Sequence, residues 1–168
     1  IYAINMIGAV ANIIHPLSSY KEIEYYINVA ESKYILVIDF DYDKLFKIIK
    51  NTKIKKVIVA SPTIDMSIVK STLYYLFKKK KRPGKFIKEV FYKIFNDIEV
   101  LSWNKFMDKG NKNDINPYVK RSKDDAAVVL YSGGTTGKPK GIVLSNLCFN
   151  AVGVQLFNIF HETNKIGE

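Results

Sequence analysis

Cysteine is almost absent from this sequence, since Cys148 is the only one among 168 residues. A single cysteine excludes an internal disulfide and any metal site built from several thiolates. The two histidines, His15 and His161, are far apart and have no carboxylate or cysteine at ligand spacing, so we expect structural roles for both. The apolar stretch around Cys148 predicts a buried, unreactive thiol. We therefore expect neither redox chemistry nor a metal site.

Long apolar runs are also missing. The segment 1–14 is interrupted by Asn5 and Asn12, and no other run approaches the length of a membrane span. No signal peptide is visible, so a cytoplasmic location is the default expectation. The chain begins at Ile1 rather than Met, and we interpret it as an internal part of a longer protein.

Acidic residues are scarce beside basic ones, with 16 Asp and Glu against 26 Lys and Arg and a net charge of +10. Hydrophobic residues make up 48% of the chain and aromatic residues 13%, which is enough to build a packed core rather than a disordered tail. The sequence is therefore that of a basic globular protein.

A segment rich in glycine and hydroxyl residues, 131–141, lies between two short apolar runs whose β-branched residues predict strands. Glycines allow tight turns and bring backbone N–H groups close to an anion, hydroxyls add donors, and lysines add positive charge. We predict that this loop binds the phosphates of a nucleotide. The predicted contacts come from Ser132, Gly133, Gly134, Thr135, Thr136, Gly137, Lys138, Lys140 and Gly141.

The spacing in this loop excludes two better-known phosphate motifs. A Walker loop fails because Ser132 and Pro139 stand where Gly and Ser or Thr are required, and the dinucleotide pattern fails because Thr135 replaces its second Gly. An ordinary Gly-rich hairpin turn is the structural alternative. Turn geometry alone does not require this order of hydroxyls, glycines and lysines, so we favour the nucleotide loop.

The segment Tyr131–Gly141 resembles the signature loop of the adenylate-forming, or AMP-binding, superfamily, which reads aromatic-Ser/Thr-Ser/Thr-Gly-Thr-Thr-Gly-x-Pro-Lys-Gly before an apolar strand. Gly133 departs from it, since the family more often carries a hydroxyl residue there. Asn146 departs as well, since many members have His just after the Leu-Ser that ends the strand. The segment 8–61 loosely resembles the early sheet region of the family. Its later motifs, aromatic-Gly-x-Thr-Glu, Thr-Gly-Asp and a late lysine, are not found.

The resemblance implies an α/β fold, the large N-terminal domain of an adenylate-forming enzyme, incomplete in this chain. It implies an acyl-CoA synthetase-like ligase that uses ATP with Mg²⁺ to convert a carboxylic acid, in particular a fatty acid, into an acyl-adenylate and then transfers the acyl group to coenzyme A. The substrate carboxylate is the nucleophile, so no catalytic residue is assigned, and the fragment alone is expected to be inactive. No nucleic acid partner is expected.

Before the loop, the sequence alternates between strand and helix patterns, which favours a buried parallel sheet with right-handed crossovers. Ser19 and Glu22 form a capping-box pattern at the start of the first helix. The predicted elements are a strand at 8–14, a helix from Ser19, a strand at 34–38, a helix at 42–52 and a strand at 56–60. The predicted inward residues are Ile23, Tyr26, Ile27, Ala30, Leu45, Ile48 and Ile49.

A basic and aromatic stretch, 66–95, interrupts this alternation and predicts two amphipathic helices joined by the turn Lys78–Arg82. The first carries Leu73, Leu76 and Phe77, and the second carries Phe86, Ile87, Val90, Phe91 and Ile94. The favoured interpretation packs the aromatics inward and leaves the lysines solvated. The alternative is a peripheral contact of Lys78–Arg82 with an anionic membrane surface, or with a nucleic acid backbone.

The remaining segments predict a short strand at 98–101 with Trp103 packed beside it and a linker at 109–123. We divide the sequence into strand–helix repeats at 1–61, a basic helical segment with its linker at 62–123, and the loop hairpin with a following helix at 124–168. Asp39, Asp41 and Asp43 begin like a calcium loop, but Lys44 and Lys50 replace its required Gly and Glu, so helix capping is favoured.

Two alternative functions stay open from the sequence. The chain could be part of a non-catalytic nucleotide-binding protein that kept the loop. It could also be a basic module that binds a membrane or nucleic acid, in which the loop is incidental.

Overall fold

The computed structural model of the chain describes residues 1–39, 42–64, 66–77, 93–95, 97–112, 115–132 and 139–166. They form two compact units, one made of residues 1–15 with 115–168 and the other of residues 16–114. The boundaries of these two units differ from those of the three segments expected from the sequence, 1–61, 62–123 and 124–168. That three-part division stays a prediction.

The architecture is mixed α/β, which confirms the predicted class. The helices are α1 (Tyr2–Met6), α2 (Tyr20–Val29), α3 (Tyr42–Ile48), α4 (Ile68–Phe77), α5 (Trp103–Asn111) and α6 (Asn146–Ile166), and Ile49–Asn51 form a 3-10 turn after α3. The strands are β1 (Ala11–Asn12), β2 (Tyr34–Ile38), β3 (Lys56–Ala60), β4 (Lys93–Phe95), β5 (Ile98–Ser102), β6 (Ala126–Ser132) and β7 (Lys140–Ser145).

The unit of residues 16–114 is built on a four-stranded sheet with the order β2-β3-β5-β4. The first three strands are parallel, as their apolar runs predict, and β4 joins β5 in the antiparallel direction. In the register, Val57 of β3 lies between Ile35 of β2 and Val100 of β5. Val57, Val100 and Leu101 are almost completely buried, so the middle of this sheet is the core of the unit.

Helix α2 begins where the capping box predicts. The Ser19 hydroxyl accepts from the Glu22 N–H, and the Glu22 carboxylate accepts from the Ser19 N–H at 2.7 Å. The hydrogen bond from the Ser19 N–H to the carboxylate, followed by that from the Ser19 side chain, lowers the pKa of Glu22 because both favour its ionised form. Ile23, Tyr26 and Ile27 are buried on the predicted face. Burial raises the pKa of Tyr26, since removal from water disfavours the phenolate.

The helix predicted at 42–52 is present in a shorter form. Leu45, Ile48 and Ile49 are buried as predicted, each with 2% or less of its surface exposed. The α-helix ends at Ile48, and the 3-10 turn continues to Asn51, where the Thr52 side chain donates to the Ile49 carbonyl oxygen. The tighter turn therefore closes the segment without an α-helical end.

The unit of residues 1–15 and 115–168 contains a three-stranded sheet with β6 in the middle. Strand β1 runs parallel to β6, and β7 runs antiparallel to it. Ala127 and Val128 of β6 are fully buried, and helix α6 contacts both β6 and β7. Strand β6 is therefore paired with a strand on each of its edges, and this pairing fixes its position.

Two strand predictions were partly wrong. The strand expected at 8–14 is only two residues long, because the chain before it forms α1 and turns at Gly8, and only Ala11 and Asn12 are in register with β6. The sheet is also not buried throughout. Strand β2 is an edge strand, and Tyr34, Leu36 and Ile38 are exposed on one of its faces.

Two further predictions were wrong, one because of tertiary context and one because a local capping signal was missed. Ile94, expected in a helix, lies in β4, where pairing with β5 determines its conformation. The segment assigned to a linker from residue 109 begins inside α5, which extends to Asn111. Ser102 is the N-cap of this helix and accepts from the Lys105 N–H, so a sequence signal for α5 was present. Trp103 is half-buried against Phe106, with ring centroids 5.9 Å apart.

Cys148 is exposed, which corrects the expectation of a buried thiol. It lies near the start of α6, a helix that also exposes Leu147, Phe157 and Phe160. Apolar neighbours in sequence therefore did not ensure burial, because the helix contacts β6 and β7 over part of its surface and leaves other apolar side chains in solvent.

Candidate nucleotide-binding loop

The predicted phosphate loop is framed by the two strands of a hairpin. Strand β6 ends at Ser132, and β7 begins at Lys140. The register pairs Ser132 with Lys140 and Tyr131 with Gly141, so the two ends of the loop are held together by antiparallel pairing. The predicted contacts Gly133, Gly134, Thr135, Thr136, Gly137 and Lys138 lie outside the described residues.

The two side chains that the structure places at the mouth of the loop lie on one face. Directly opposed residues of antiparallel strands point to the same side of the sheet, with Cβ atoms roughly 5 Å apart. The half-buried Ser132 and the exposed Lys140 form such a pair. A hydroxyl and an ammonium group therefore approach the loop from the same side, which suits the binding of an anion.

Gly141 has a packing role in the structure. A Cβ atom at this position would lie 3.3 Å from Cε1 of Tyr131 and 3.5 Å from Cγ1 of Val129. The edge of the Tyr131 ring thus lies beside the exposed Gly141 backbone at the base of the loop, where a larger residue would press against it. Sequence reasoning assigned Gly141 to phosphate contact and missed this neighbour.

The start of β6 is held by side chains that the sequence analysis did not identify. Arg121 donates to the carbonyl oxygen of Gly8 at 2.7 Å and to that of Ala126, and it forms an ion pair with Asp125. Asn5 donates to the carbonyl oxygen of Ala127 at 2.8 Å. The bonds from Arg121 to Gly8 and from Asn5 to Ala127 join segments far apart in sequence, so no local pattern could have indicated them.

Asn146, at the position where the resembled family often has His, binds the backbone. Its side-chain amide donates to the Ser122 carbonyl oxygen at 2.8 Å, and its N–H donates to that of Asp125 at 2.9 Å. The N–H groups of the next two residues are also used, with Leu147 donating to the Lys123 carbonyl oxygen and Cys148 to the Ser145 hydroxyl. The hydrogen bonds of Asn146 thus stabilise the start of α6.

Within the described parts of the chain, no three His, Cys, Asp or Glu residues are grouped so that they could hold a metal ion. His15 is exposed, and the side chain of His161 lies outside the described part. Asp39 is buried directly after β2, and its N–H donates to the carbonyl oxygen of Ala60. Asp41, considered for helix capping, lies outside the described residues. No helix in the described ranges has both the length and the apolar character needed to span a membrane.

Comparison with known sequences identifies the class of protein. The sequence model of the family described as AMP-binding enzyme matches residues 1–165. The chain therefore belongs to the AMP-binding enzyme family, as the resemblance of Tyr131–Gly141 implied.

The curated relatives are acyl-CoA synthetases and ligases. The chain is 26% identical over 146 residues to a long-chain-fatty-acid–CoA ligase of Bacillus subtilis, covering 86% of this chain and 24% of the relative. It is 29% identical over 151 residues to the enzyme of the same name from Haemophilus influenzae, covering 87% and 25%. Over 62 residues it is 40% identical to long chain acyl-CoA synthetase 2 of Arabidopsis thaliana, covering 37% and 9%. The chain spans about a quarter of the length of the two bacterial relatives.

Solved structures show the same fold. An anthranilate CoA ligase in complex with anthranoyl-AMP is similar with a TM-score of 0.59 at 19% identity, covering 86% of this chain and 22% of that protein. A long-chain-fatty-acid-CoA ligase from Archaeoglobus fulgidus is similar with a TM-score of 0.57 at 22% identity, covering 91% and 24%. The α/β fold is thus that of part of the N-terminal domain of adenylate-forming enzymes.

Proposed function

We propose that the chain is the phosphate-binding part of an AMP-forming acyl-CoA synthetase that activates a fatty acid. The family and the names of the curated relatives support an adenylate-forming ligase. The observation that carries the proposal for this chain is the pairing of Ser132 with Lys140, which closes the signature segment into a loop with a hydroxyl and a cation at its mouth. The proposed substrates are ATP as its Mg²⁺ complex, a long-chain carboxylic acid and coenzyme A.

The reaction requires groups that bind the leaving pyrophosphate. It requires no nucleophile from the protein. The acid's carboxylate oxygen attacks the α-phosphorus of ATP, the bond from that phosphorus to the bridging oxygen breaks, and pyrophosphate leaves with the electron pair. The thiol of coenzyme A then attacks the acyl carbon of the adenylate, and AMP departs. Negative charge grows on the β- and γ-phosphates in the first step, and fixed N–H groups, hydroxyls and lysines stabilise it.

In this proposal, Ser132, Thr135 and Thr136 donate hydroxyl hydrogen bonds to the phosphates, and Lys138 and Lys140 balance their charge. The glycines Gly133, Gly134 and Gly137 allow backbone N–H groups to approach. Gly141 acts with them because it leaves room for the Tyr131 side chain at the base of the loop. Side chains outside the loop hold its frame: Arg121 and Asn5 fasten the start of β6.

Pyrophosphate exchange by loop variants of the full-length protein tests the proposal. Thr136→Ala and Lys140→Ala are expected to slow acid-dependent exchange about 100-fold or more, because removing a donor used in the transition state costs roughly 2.7 to 4 kcal/mol. The melting temperature of Lys140→Ala should stay near that of the parent, since Lys140 is exposed. Lys120→Ala, which removes another exposed lysine of the same unit, is the matched control and should exchange normally.

A plain hairpin turn or a non-catalytic binding protein predicts a different outcome. If the loop only turns the chain, neither variant changes exchange. If the protein binds nucleotide without catalysis, the parent binds ATP but shows no exchange with any fatty acid. Either result would overturn the proposal.

A further inference from the structure

The hairpin that frames the loop contains a β-bulge at the start of β6. Ala126 of β6 is paired with Ser145 of β7. Val128 is paired with Leu144, so β6 advances by two residues where β7 advances by one. The extra residue is Ala127. An extra residue bends the strand that contains it and disrupts the ladder of hydrogen bonds locally.

The bulge determines which residues meet at the mouth of the loop. With the bulge, the pairing from Val128 onward is regular and places Ser132 opposite Lys140. If the pairing at the start of β6 continued without an extra residue, Tyr131 would lie opposite Lys140 instead. A shift of one residue moves every side chain of a strand to the other face of the sheet. The Ser132 hydroxyl would then lie on the face opposite to the Lys140 side chain.

Two side chains from other segments of the same unit bind the backbone at the bulge. Asn5 of α1 donates its side-chain amide to the carbonyl oxygen of Ala127 at 2.8 Å. Arg121 donates to the carbonyl oxygen of Ala126 and, at 2.7 Å, to that of Gly8. Two consecutive carbonyl groups at the bulge thus accept hydrogen bonds from side chains. These bonds favour the bulged register, because loss of the extra residue would reorient the peptide groups to which they are made.

We propose that Asn5 is a positioning residue for the phosphate loop and that Arg121 acts with it at the bulge. Both act through the register of β6, which brings the Ser132 hydroxyl and the Lys140 ammonium group to one face at the mouth of the loop. Neither is proposed to contact the nucleotide. The consequence for activity rests on the proposed function, whereas the register is a property of the hairpin that can be measured without a nucleotide.

Disulfide formation across the hairpin of the full-length protein measures the register. Opposed residues have Cβ atoms roughly 5 Å apart, near the separation that a disulfide requires, and neighbouring residues of one strand point to opposite faces. Cys148 is replaced by Ser in every variant. The pair Ser132→Cys and Lys140→Cys should form a disulfide under mild oxidation, whereas the pair Tyr131→Cys and Lys140→Cys should not. Mass spectrometry of the digested protein identifies the disulfide.

Removal of the amide donor tests the role of Asn5. Asn5→Asp keeps the shape of the side chain but replaces the donor with an oxygen that only accepts when ionised. The yield of the disulfide between positions 132 and 140, relative to that between 131 and 140, should fall about tenfold, because a hydrogen bond at the bulge is replaced by a repulsive contact. Asn28→Asp is the matched control and should change neither yield, since the Asn28 amide donates to the Asn51 carbonyl oxygen at 3.1 Å in the other unit.

Arg121→Lys is a second test of the same bulge, and it decides the matter if Asn5→Asp shows no cooperative melting transition. Lysine keeps the positive charge beside Asp125 but lacks the fork with which Arg121 reaches the carbonyl groups of both Gly8 and Ala126. The same change in disulfide yields is expected. With its native cysteines, Asn5→Asp should also slow pyrophosphate exchange about tenfold or more, because small misplacements of binding groups are costly to catalysis.

Three results would contradict the proposal. A disulfide between positions 131 and 140 in the protein with Asn5 intact would overturn the register on which it depends. Unchanged disulfide yields in a folded Asn5→Asp variant would show that the bulge is held without this side chain. Changed yields with normal pyrophosphate exchange would show that the register does not position the loop for catalysis. Absence of exchange in the parent, together with the expected disulfide yields, would instead overturn the proposed function and support the register.

Discussion

At the scale of single residues, the glycines of this chain serve different purposes. Gly8 has a φ of +78° and lies against Val119, so its backbone adopts a conformation that other residues rarely adopt. Gly141 lies beside the edge of the Tyr131 ring, 3.3 Å from where a Cβ would be. Gly153 lies inside α6 with open space where a Cβ would be. Only the folded environment distinguishes these roles, because the residue type is the same.

Alanine at two of these glycines should change stability in opposite directions. Gly8→Ala is expected to lower the free energy of unfolding by roughly 1–2 kcal/mol, because a Cβ is disfavoured at positive φ and would lie 3.3 Å from three carbons of Val119. Gly153→Ala should raise it by about 0.5–1 kcal/mol, since alanine loses less backbone entropy in a helix. Urea unfolding followed by circular dichroism measures both. Equal effects of the two changes would refute the assignment of positive φ to Gly8.

At the scale of secondary-structure elements, a small cluster of ion pairs joins β3, β5 and α5. Glu99 of β5 forms ion pairs with Lys109 of α5 and with Lys56 of β3, the latter at 3.0 Å. The hydrogen bond from Lys109, followed by that from Lys56, lowers the pKa of Glu99. The cluster supports the docking of α5 on the sheet, although each pair is partly exposed to solvent and its contribution is correspondingly modest.

The pH dependence of this cluster follows from the direction of the pKa shift. The folded pKa of Glu99 lies below its unfolded value, so its stabilising contribution is fully present above the unfolded pKa and is lost as pH falls through the folded pKa. Glu99→Gln should therefore reduce the free energy of unfolding at neutral pH and have little effect at strongly acidic pH. Urea unfolding of parent and variant across this range measures the difference.

A second carboxylate is the comparison for this experiment. Glu31 has a lowered pKa because Lys53 donates a hydrogen bond to it, but both side chains are more than two-thirds exposed. Glu31→Gln should show the same direction with a smaller effect, because water screens the pair. A larger effect at Glu31 than at Glu99 would contradict the role assigned to the cluster.

At the scale of the whole molecule, much apolar surface is exposed. Helix α6 exposes apolar side chains on several sides, and β2 exposes one face. A helix that is apolar all round is characteristic of a buried position in a larger protein. The exposure agrees with a chain that spans about a quarter of the length of its bacterial relatives.

Residues 1–168 expressed by themselves should bind ATP weakly at best and release no pyrophosphate. The loop can contact phosphates, but the motifs that hold the ribose and supply the late lysine in the resembled family are not in these residues. Incubation with ATP, Mg²⁺ and a panel of fatty and aromatic acids, followed by pyrophosphate detection, measures this, with the full-length protein as the positive control. Acid-dependent release by residues 1–168 alone would show that they form a complete enzyme.

Patterns short in sequence were sufficient for several local features. The capping box at Ser19, the inward face of α2, the strands β2 and β3, and the hairpin that frames the loop were all predicted from the sequence. Each depends on residues within about two helical turns or one strand, where backbone preference and side-chain periodicity act directly. The order of residues in Tyr131–Gly141 also indicated the family that the comparisons show.

Features that join distant segments required the tertiary structure. Four features depend on which elements become neighbours: the pairing of Ile94 in β4, the edge position of β2, the exposure of Cys148, and the long-range bonds of Arg121 with Gly8 and of Asn5 with β6. The sequence by itself determined the periodicity, the charge and the loop motif, because these are local. Burial and strand partners were decided only by folding, because apolar side chains and backbone groups can be satisfied by any suitable neighbour and the fold selects which one is present.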